Sequence, residues 1–224
     1  MRLAVRRCLD LLYPPKCVFC DGILKPAEEY FCRSCGEKIP MAEGEKLSRP
    51  GSYFDRCIAP MYYEGIVRDS FLDYKFHEKS WRAGVYAALL APYVRKEFPD
   101  AECVSWVPLS RRNKRDRGYD QSKLLAQELE KVLGLPCEMY LEKVRHTRQQ
   151  SRIEMPEERR ANVLGAYAIK KDADVRGKRI LLIDDIVTTG STLEECSRML
   201  MTAGASCVYC AAMAQAVGKR KREC

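Results

Sequence analysis

Two adjacent acids, Asp184 and Asp185, close an apolar run, Ile180 to Ile183, and precede a hydroxyl-rich turn, Thr188-Thr189-Gly190-Ser191-Thr192. Carboxylates side by side repel one another and are costly to bury, so they call for a ligand that presents donors, or for a metal. The vicinal hydroxyls of a ribose would satisfy them. The turn offers three threonine hydroxyls and one serine hydroxyl. It also offers backbone N–H groups made accessible by Gly190, at the start of an expected helix whose positive dipole end favours an anion. That is a cradle for one phosphate monoester. The spacing of acids and cradle suits a sugar held by its 2′ and 3′ hydroxyls and its 5′-phosphate together.

A second chemistry lies near the N-terminus. Cys17-x-x-Cys20 and Cys32-x-x-Cys35 form two knuckles separated by eleven residues, a spacing with which Cys17, Cys20, Cys32 and Cys35 can surround Zn2+ tetrahedrally. Metal binding would supply the folding energy that so small a module cannot draw from a core. Cys207-x-x-Cys210 has no second pair nearby and falls in an expected buried strand, so its thiols read as core. His77 and His146 stand alone without metal spacing, and neither is assigned a ligand role.

The elements that position these groups follow from patterning. Residues 41–52 are polar, with two glycines and a proline, and read as a linker. Residues 1–50 are therefore expected as a helix and a four-cysteine zinc ribbon with linker, and 51–224 as a second domain. From Asp55 short β-rich runs alternate with helical ones, as in a parallel sheet with crossover helices. Strands are expected near 56–63, 103–107, 138–143, 165–169, 179–184 and 206–213, and helices at 65–76, 80–97, 119–133 and 191–203. Ile180 to Ile183 is apolar on both faces, as a central parallel strand covered by helices requires. Its C-terminal end is where open α/β sheets place ligands. Residues 145–164 are too polar and too long for an ordinary connection, and read as a functional lid or a disordered loop.

Two further segments could serve a phosphorylated ligand. Val104 to Ser122 is a strand, a basic loop and a new helix. Arg111 and Arg112 could clamp a diphosphate in bidentate fashion, Gly118 permits a tight entry, and Asp120 or Ser122 can cap the helix. The competing reading is a solvated basic turn. Lys75 reads as a helix-surface lysine or as a group reaching phosphate.

Ile180 to Thr192 resembles, over thirteen unbroken positions, the ribose-phosphate signature of the type I phosphoribosyltransferases. Val104 to Ser122 resembles the "VPVPL…RRxRGFNQ" segment of the competence protein F (ComF) family, with Ser105, Trp106, Tyr119 and Asp120 as departures. Arg145 to Tyr167 resembles that family's "RxTxxQSxL…ERxxNVxGAF" block, and Phe54 to Phe76 its "FDRxxAPFxYEG…LKY" entry. The likeness runs from about Leu11 to Met213. It implies a type I phosphoribosyltransferase fold with a hood loop and an N-terminal zinc ribbon, and binding of phosphoribosyl diphosphate with Mg2+. It further implies Gln150, Arg159 and Asn162 as hood contacts, and a link to uptake of single-stranded DNA. The family's longer ribbon has further knuckles, which this sequence lacks.

Function then divides three ways: phosphoribosyl transfer to an unidentified acceptor, a non-catalytic sensor of phosphoribosyl diphosphate, or an accessory in DNA handling that meets single-stranded DNA or DNA-uptake proteins. A homodimer is among the expected assemblies. The net charge of +8 is concentrated in Arg111 to Arg117, Arg145 to Arg160 and Lys219 to Arg222, and can serve a small phosphorylated ligand or a nucleic acid. No apolar run approaches the roughly 20 residues of a membrane span. Arg6, Arg7 and Asp10 interrupt any secretory core, so a cytoplasmic location with reduced thiols is expected.

Overall fold

A computed structural model describes residues 14–76, 79–110, 113–115, 118–145, 147 and 155–217. The expected helix at 3–12, the basic tail, Arg111, Arg112, Gln150 and both histidines lie outside the described residues. In chain order the elements are α1 (Arg33–Gly36), β1 (Ser48–Pro50), β2 (Arg56–Ile58), β3 (Met61–Tyr62), α2 (Gly65–Phe76), α3 (Arg82–Glu97), β4 (Cys103–Trp106), α4 (Gln121–Leu133), β5 (Leu141–Lys143), α5 (Pro156–Val163), β6 (Tyr167–Ile169), β7 (Arg179–Val187), α6 (Ser191–Thr202) and β8 (Cys207–Gln215).

The main sheet has the order β1-β2-β8-β7-β4, with β3 also on β8. Every pairing is parallel except β1 with β2. Its centre is dictated by side-chain alternation on β7. Leu181 and Ile183 enter one core with Tyr86 and Leu90 of α3 and Leu125 of α4. Ile180 and Leu182 enter the other with Leu193, Cys196 and Leu200 of α6. These four β7 residues are fully buried, each burial contributing about 1.5–3 kcal/mol.

Three expectations need correction. The single strand at 56–63 is two, because Ala59 turns its N–H to Leu47 O and Pro60 has none to give. β3 nevertheless resumes on β8 in the register of β2. The strands near 138–143 and 165–169 pair antiparallel as β5 and β6 in a two-stranded sheet of their own, and the first meets the parallel sheet only at its start, in a bridge of Cys137 with Val104 and a bond from Glu138 N–H to Val104 O. Neither strand is buried throughout, Glu142 of β5 being exposed and Ala168 and Ile169 of β6 only half-buried, unlike the central parallel strands. Residues 41–52, read as a linker, are docked: Ala42 N–H bonds Pro60 O, and β1 extends the sheet.

The ribbon rests on α2 and α3. Val18, Phe19 and Leu24 share the core of those helices, and Ser70 Oγ donates to Val18 O at 2.6 Å. Arg82, fully buried, reaches Asp21 at 2.9 Å, Asp73 at 3.3 Å and Ser70 O at 2.7 Å. Lys79 also bonds Asp21. Removing the buried cation from such a set leaves Asp21 and Asp73 with Lys79 alone and Ser70 O without its donor. Arg82→Ala should therefore lower stability in urea melts by about 3–5 kcal/mol, and Asp21→Asn, at the more exposed end, by clearly less. Equal losses would contradict a network governed by the buried guanidinium.

Candidate functional site

The sheet itself opens the site. β4 pairs with β7 only as far as Trp106 opposite Ile183, and Val107 N–H closes that ladder on Ile183 O. β7 runs on past its expected end to Val187, held on its other side by β8. Asp184 and Asp185 thus fall where β7 has lost one neighbour. A cleft of about 450 Å³ opens there, lined by Asp184, Asp185, Thr188 and Thr192, by Leu72 and Lys75 of α2, and by Lys143, Val163 and Tyr167 beside the small sheet.

The two carboxylates have different surroundings. Asp184 Oδ1 accepts from Ser122 Oγ at 3.1 Å and from Asp185 N–H at 2.9 Å. Asp185 Oδ1 accepts from Ile186 N–H at 2.7 Å, and its Oδ2 faces Lys75 Nζ at 2.7 Å. Burial and the Asp185 charge push the Asp184 carboxyl up to about 7, against the pull of the Asp185 N–H, Lys75 and Ser122. Asp184 can therefore change charge near neutrality, while Asp185 has a cation fixed beside it.

The turn that follows is a tight loop onto α6. Gly190 adopts φ +82° and precedes the first helical turn, a left-handed conformation that a residue with a side chain rarely takes. Ser191 does not cap the helix through its hydroxyl; it pairs with Thr189 Oγ1 at 2.8 Å. Of the first-turn N–H groups of α6, that of Ser191 faces Thr189 Oγ1 at 3.4 Å; a helix N-terminus of this kind favours an anion.

Of the two candidate caps for α4, Asp120 takes the role, accepting from Lys123 N–H at 3.1 Å and from Leu109 N–H at 3.1 Å. This frees Ser122 for Asp184. Arg159 and Asn162 stand on α5, outside the residues that line the cleft, and Arg145 is bonded to Asn162 O and Leu164 O. Arg111, Arg112 and Gln150 lie outside the described residues. Lys75 is no surface lysine but sits on Asp185, their side chains 15% and 13% exposed. Its signal was present in the helix: Arg68, Leu72 and Lys75 share a face turned away from the buried Val67, Ser70, Phe71 and Tyr74. Lys143 and Tyr167 of the small sheet gave no such signal.

Cys17, Cys20, Cys32 and Cys35 bring their sulfurs within 4.8 Å of one another, Cys20 and Cys32 at 3.9 Å. A tetrahedral Zn2+ with Zn–S of about 2.3 Å needs sulfurs about 3.8 Å apart, so the set fits the ion. Cys32 N–H points at Cys17 Sγ at 3.4 Å. Burial raises the Cys17 thiol, but the backbone N–H groups of Cys32, Cys20 and Phe19 bring it down to about 7, whereas burial and the neighbouring thiols push Cys35 up.

The raised Asp184 pKa carries a stability consequence. A carboxyl that holds its proton more tightly when folded than its ordinary value of about 3.9 costs stability as pH rises from about 4 to about 7. Asp184→Asn removes that cost. The variant should be more stable than the parent in urea melts at pH 8, by an amount on the order of a few kcal/mol, with the gap closing toward pH 4. A gap independent of pH would refute the assignment.

Residues 119–223 match the family model of the phosphoribosyl transferase domain, and residues 8–54 that of the double zinc ribbon domain. The chain is 35% identical over 204 residues to the DNA utilization protein YhgH of Escherichia coli K12, covering 86% of each. It is 27% identical over 212 residues to competence protein F of Haemophilus influenzae, covering 84% of this chain and 92% of that one. Among solved structures, a purine phosphoribosyltransferase from Pyrococcus horikoshii aligns over 60% of this chain and 74% of its own, at 18% identity and a TM-score of 0.39. With a zinc ribbon ahead of a type I phosphoribosyltransferase fold, and relatives matched along most of its length, the chain belongs to the competence protein F family.

Proposed function

We propose that the chain binds phosphoribosyl diphosphate together with Mg2+, and acts on its phosphoribosyl group by transfer to an acceptor or to water. The observation that carries this reading is the shared cleft: both carboxylates and the two ends of the threonine loop line one cavity of about 450 Å³, a volume suited to a small ligand. Asp184 and Asp185 take the ribose hydroxyls and stabilise positive charge developing at C1′. Thr188, Thr189, Gly190, Ser191 and Thr192 hold the 5′-phosphate. Arg111 and Arg112 are assigned to the departing diphosphate, and Gln150, Arg159 and Asn162 to the hood that excludes water from the sugar cation. Mg2+, when bound, neutralises the diphosphate and favours its departure. In this reading residues 1–50 anchor the domain and residues 51–224 carry the chemistry.

Calorimetric titration tests the reading directly. The parent protein should bind phosphoribosyl diphosphate in the presence of Mg2+, and the double variant Asp184→Asn with Asp185→Asn should lose at least a hundredfold in affinity while staying folded. Unchanged affinity in the variant, or none in the parent, would sink it. Diphosphate release across a panel of bases and amines separates an enzyme from a sensor, for which tight binding without release is the signature.

The names of the relatives and the net charge of +8 support a second, compatible reading in which the chain handles single-stranded DNA in the cytoplasm, as a monomer or homodimer. Binding measured by fluorescence anisotropy should weaken steeply as salt is raised, because phosphate contacts release counterions. It should also weaken on removal of the tail from Lys219. Absence of binding at low salt would discard this reading.

A further inference from the structure

The segment that leaves the ribbon runs behind the phosphate loop. Arg49, on the edge strand β1, donates from Nη1 to Thr188 O at 3.1 Å. Its guanidinium lies against Gly190, where a Cβ would sit 2.8 Å from Nη2. Gly190 therefore meets two demands, a left-handed backbone and room for the arginine. Arg49 Nη2 is sealed from solvent with no hydrogen-bond partner of its own among the described residues, while the guanidinium also bonds the Cys57 thiol. On its other side lies Cys57: burial pushes that thiol up to about 12, against the pull of the Arg49 charge. A few residues further on, Ser52 and Tyr53 N–H groups bond the Glu194 carboxylate in the first turn of α6, at 2.9 and 3.2 Å. The post-ribbon segment thus grips the loop at Thr188 and the helix at Glu194.

A guanidinium cannot shed its proton in a protein. Arg49 is therefore a cation, half-buried on β1, directly behind a loop whose front lines the cleft. Such a charge is costly unless an anion comes near. It acts through the loop with less screening than a surface lysine would have, and it adds to the helix dipole of α6.

We infer that Arg49 is the positioning residue of the phosphate loop: it fixes the Thr188–Thr192 backbone and supplies a partly buried positive charge for the 5′-phosphate of the bound sugar. This rests on the phosphoribosyl diphosphate reading of the site. The post-ribbon segment is then part of the phosphate site, although its side chain does not line the cleft.

The full-length, zinc-loaded protein and its Arg49→Ala and Arg49→Lys variants would be titrated with phosphoribosyl diphosphate and with ribose 5-phosphate, and amide hydrogen exchange followed in each without ligand. Arg49→Ala should weaken both ligands at least tenfold and speed exchange at residues 188–192 selectively. Arg49→Lys, which keeps charge but loses the forked donor, should recover part of the affinity. Affinities within twofold of the parent for both variants would overturn the inference alone. So would faster exchange spread evenly over the sheet, which marks general destabilisation. A parent that binds neither ligand would overturn the reading of the site and this inference with it.

Discussion

Two carboxylates at the end of a buried apolar run form the constraint around which this fold is arranged. β7 must be apolar on both faces to sit at the centre of the sheet, yet it delivers Asp184 and Asp185 to the point where β4 stops. The charge cannot be left to itself in that position. The fold answers with a cation from α2, a hydroxyl from α4 and the strand's own N–H groups. Each donor comes from a different element, so the carboxylate pair ties α2, α4 and β7 to one place. The unequal treatment of the two acids also has a chemical result. One carries a fixed counter-charge and the other responds to protons near neutrality.

Local chemistry made part of this legible in the sequence. The run Ile180 to Ile183 and the turn to Thr192 state their own geometry, because burial on both faces and a glycine at the helix entry leave few alternatives. The helix read at 65–76 agrees residue for residue with α2, whereas α5 falls inside the polar stretch read as a lid or loop. Long-range partners were harder to read. The strands of the small sheet are three residues each and half-polar, and nothing local in Leu141 to Lys143 says that its partner is Tyr167 to Ile169. Lys75 looked like any helix lysine until α2 was laid across the cleft. Arg49 sits in a polar stretch with glycine and proline, where composition argues for a linker. Its importance comes from a loop 139 positions away.

The zinc ribbon and the ligand cleft share structural members. Arg82 and Ser70 join the ribbon to α2 and α3, and the same α2 carries Lys75 to Asp185. On the opposite side the chain leaving the ribbon reaches Thr188 through β1. The ribbon therefore borders the site by two separate routes, one through a helix and one through an edge strand. A four-thiol module too small for a core of its own has a sulfur set that fits a metal within and rests on helices beneath.

β8 has a role that its plain sequence conceals. It pairs with β2, β3 and β7, so among the described residues the ladder between the N-terminal strands and the centre of the sheet runs through a strand that is synthesised after every strand it joins. During translation the ribbon can close on its metal and α2 can meet α3, while β7 waits with one edge open and four apolar side chains without their full cover. Until Cys207 to Gln215 leaves the ribosome, that edge is a template for pairing with other nascent chains. The architecture thus delays the closure of its sheet, and concentrates its exposure to aggregation in the interval before that strand emerges.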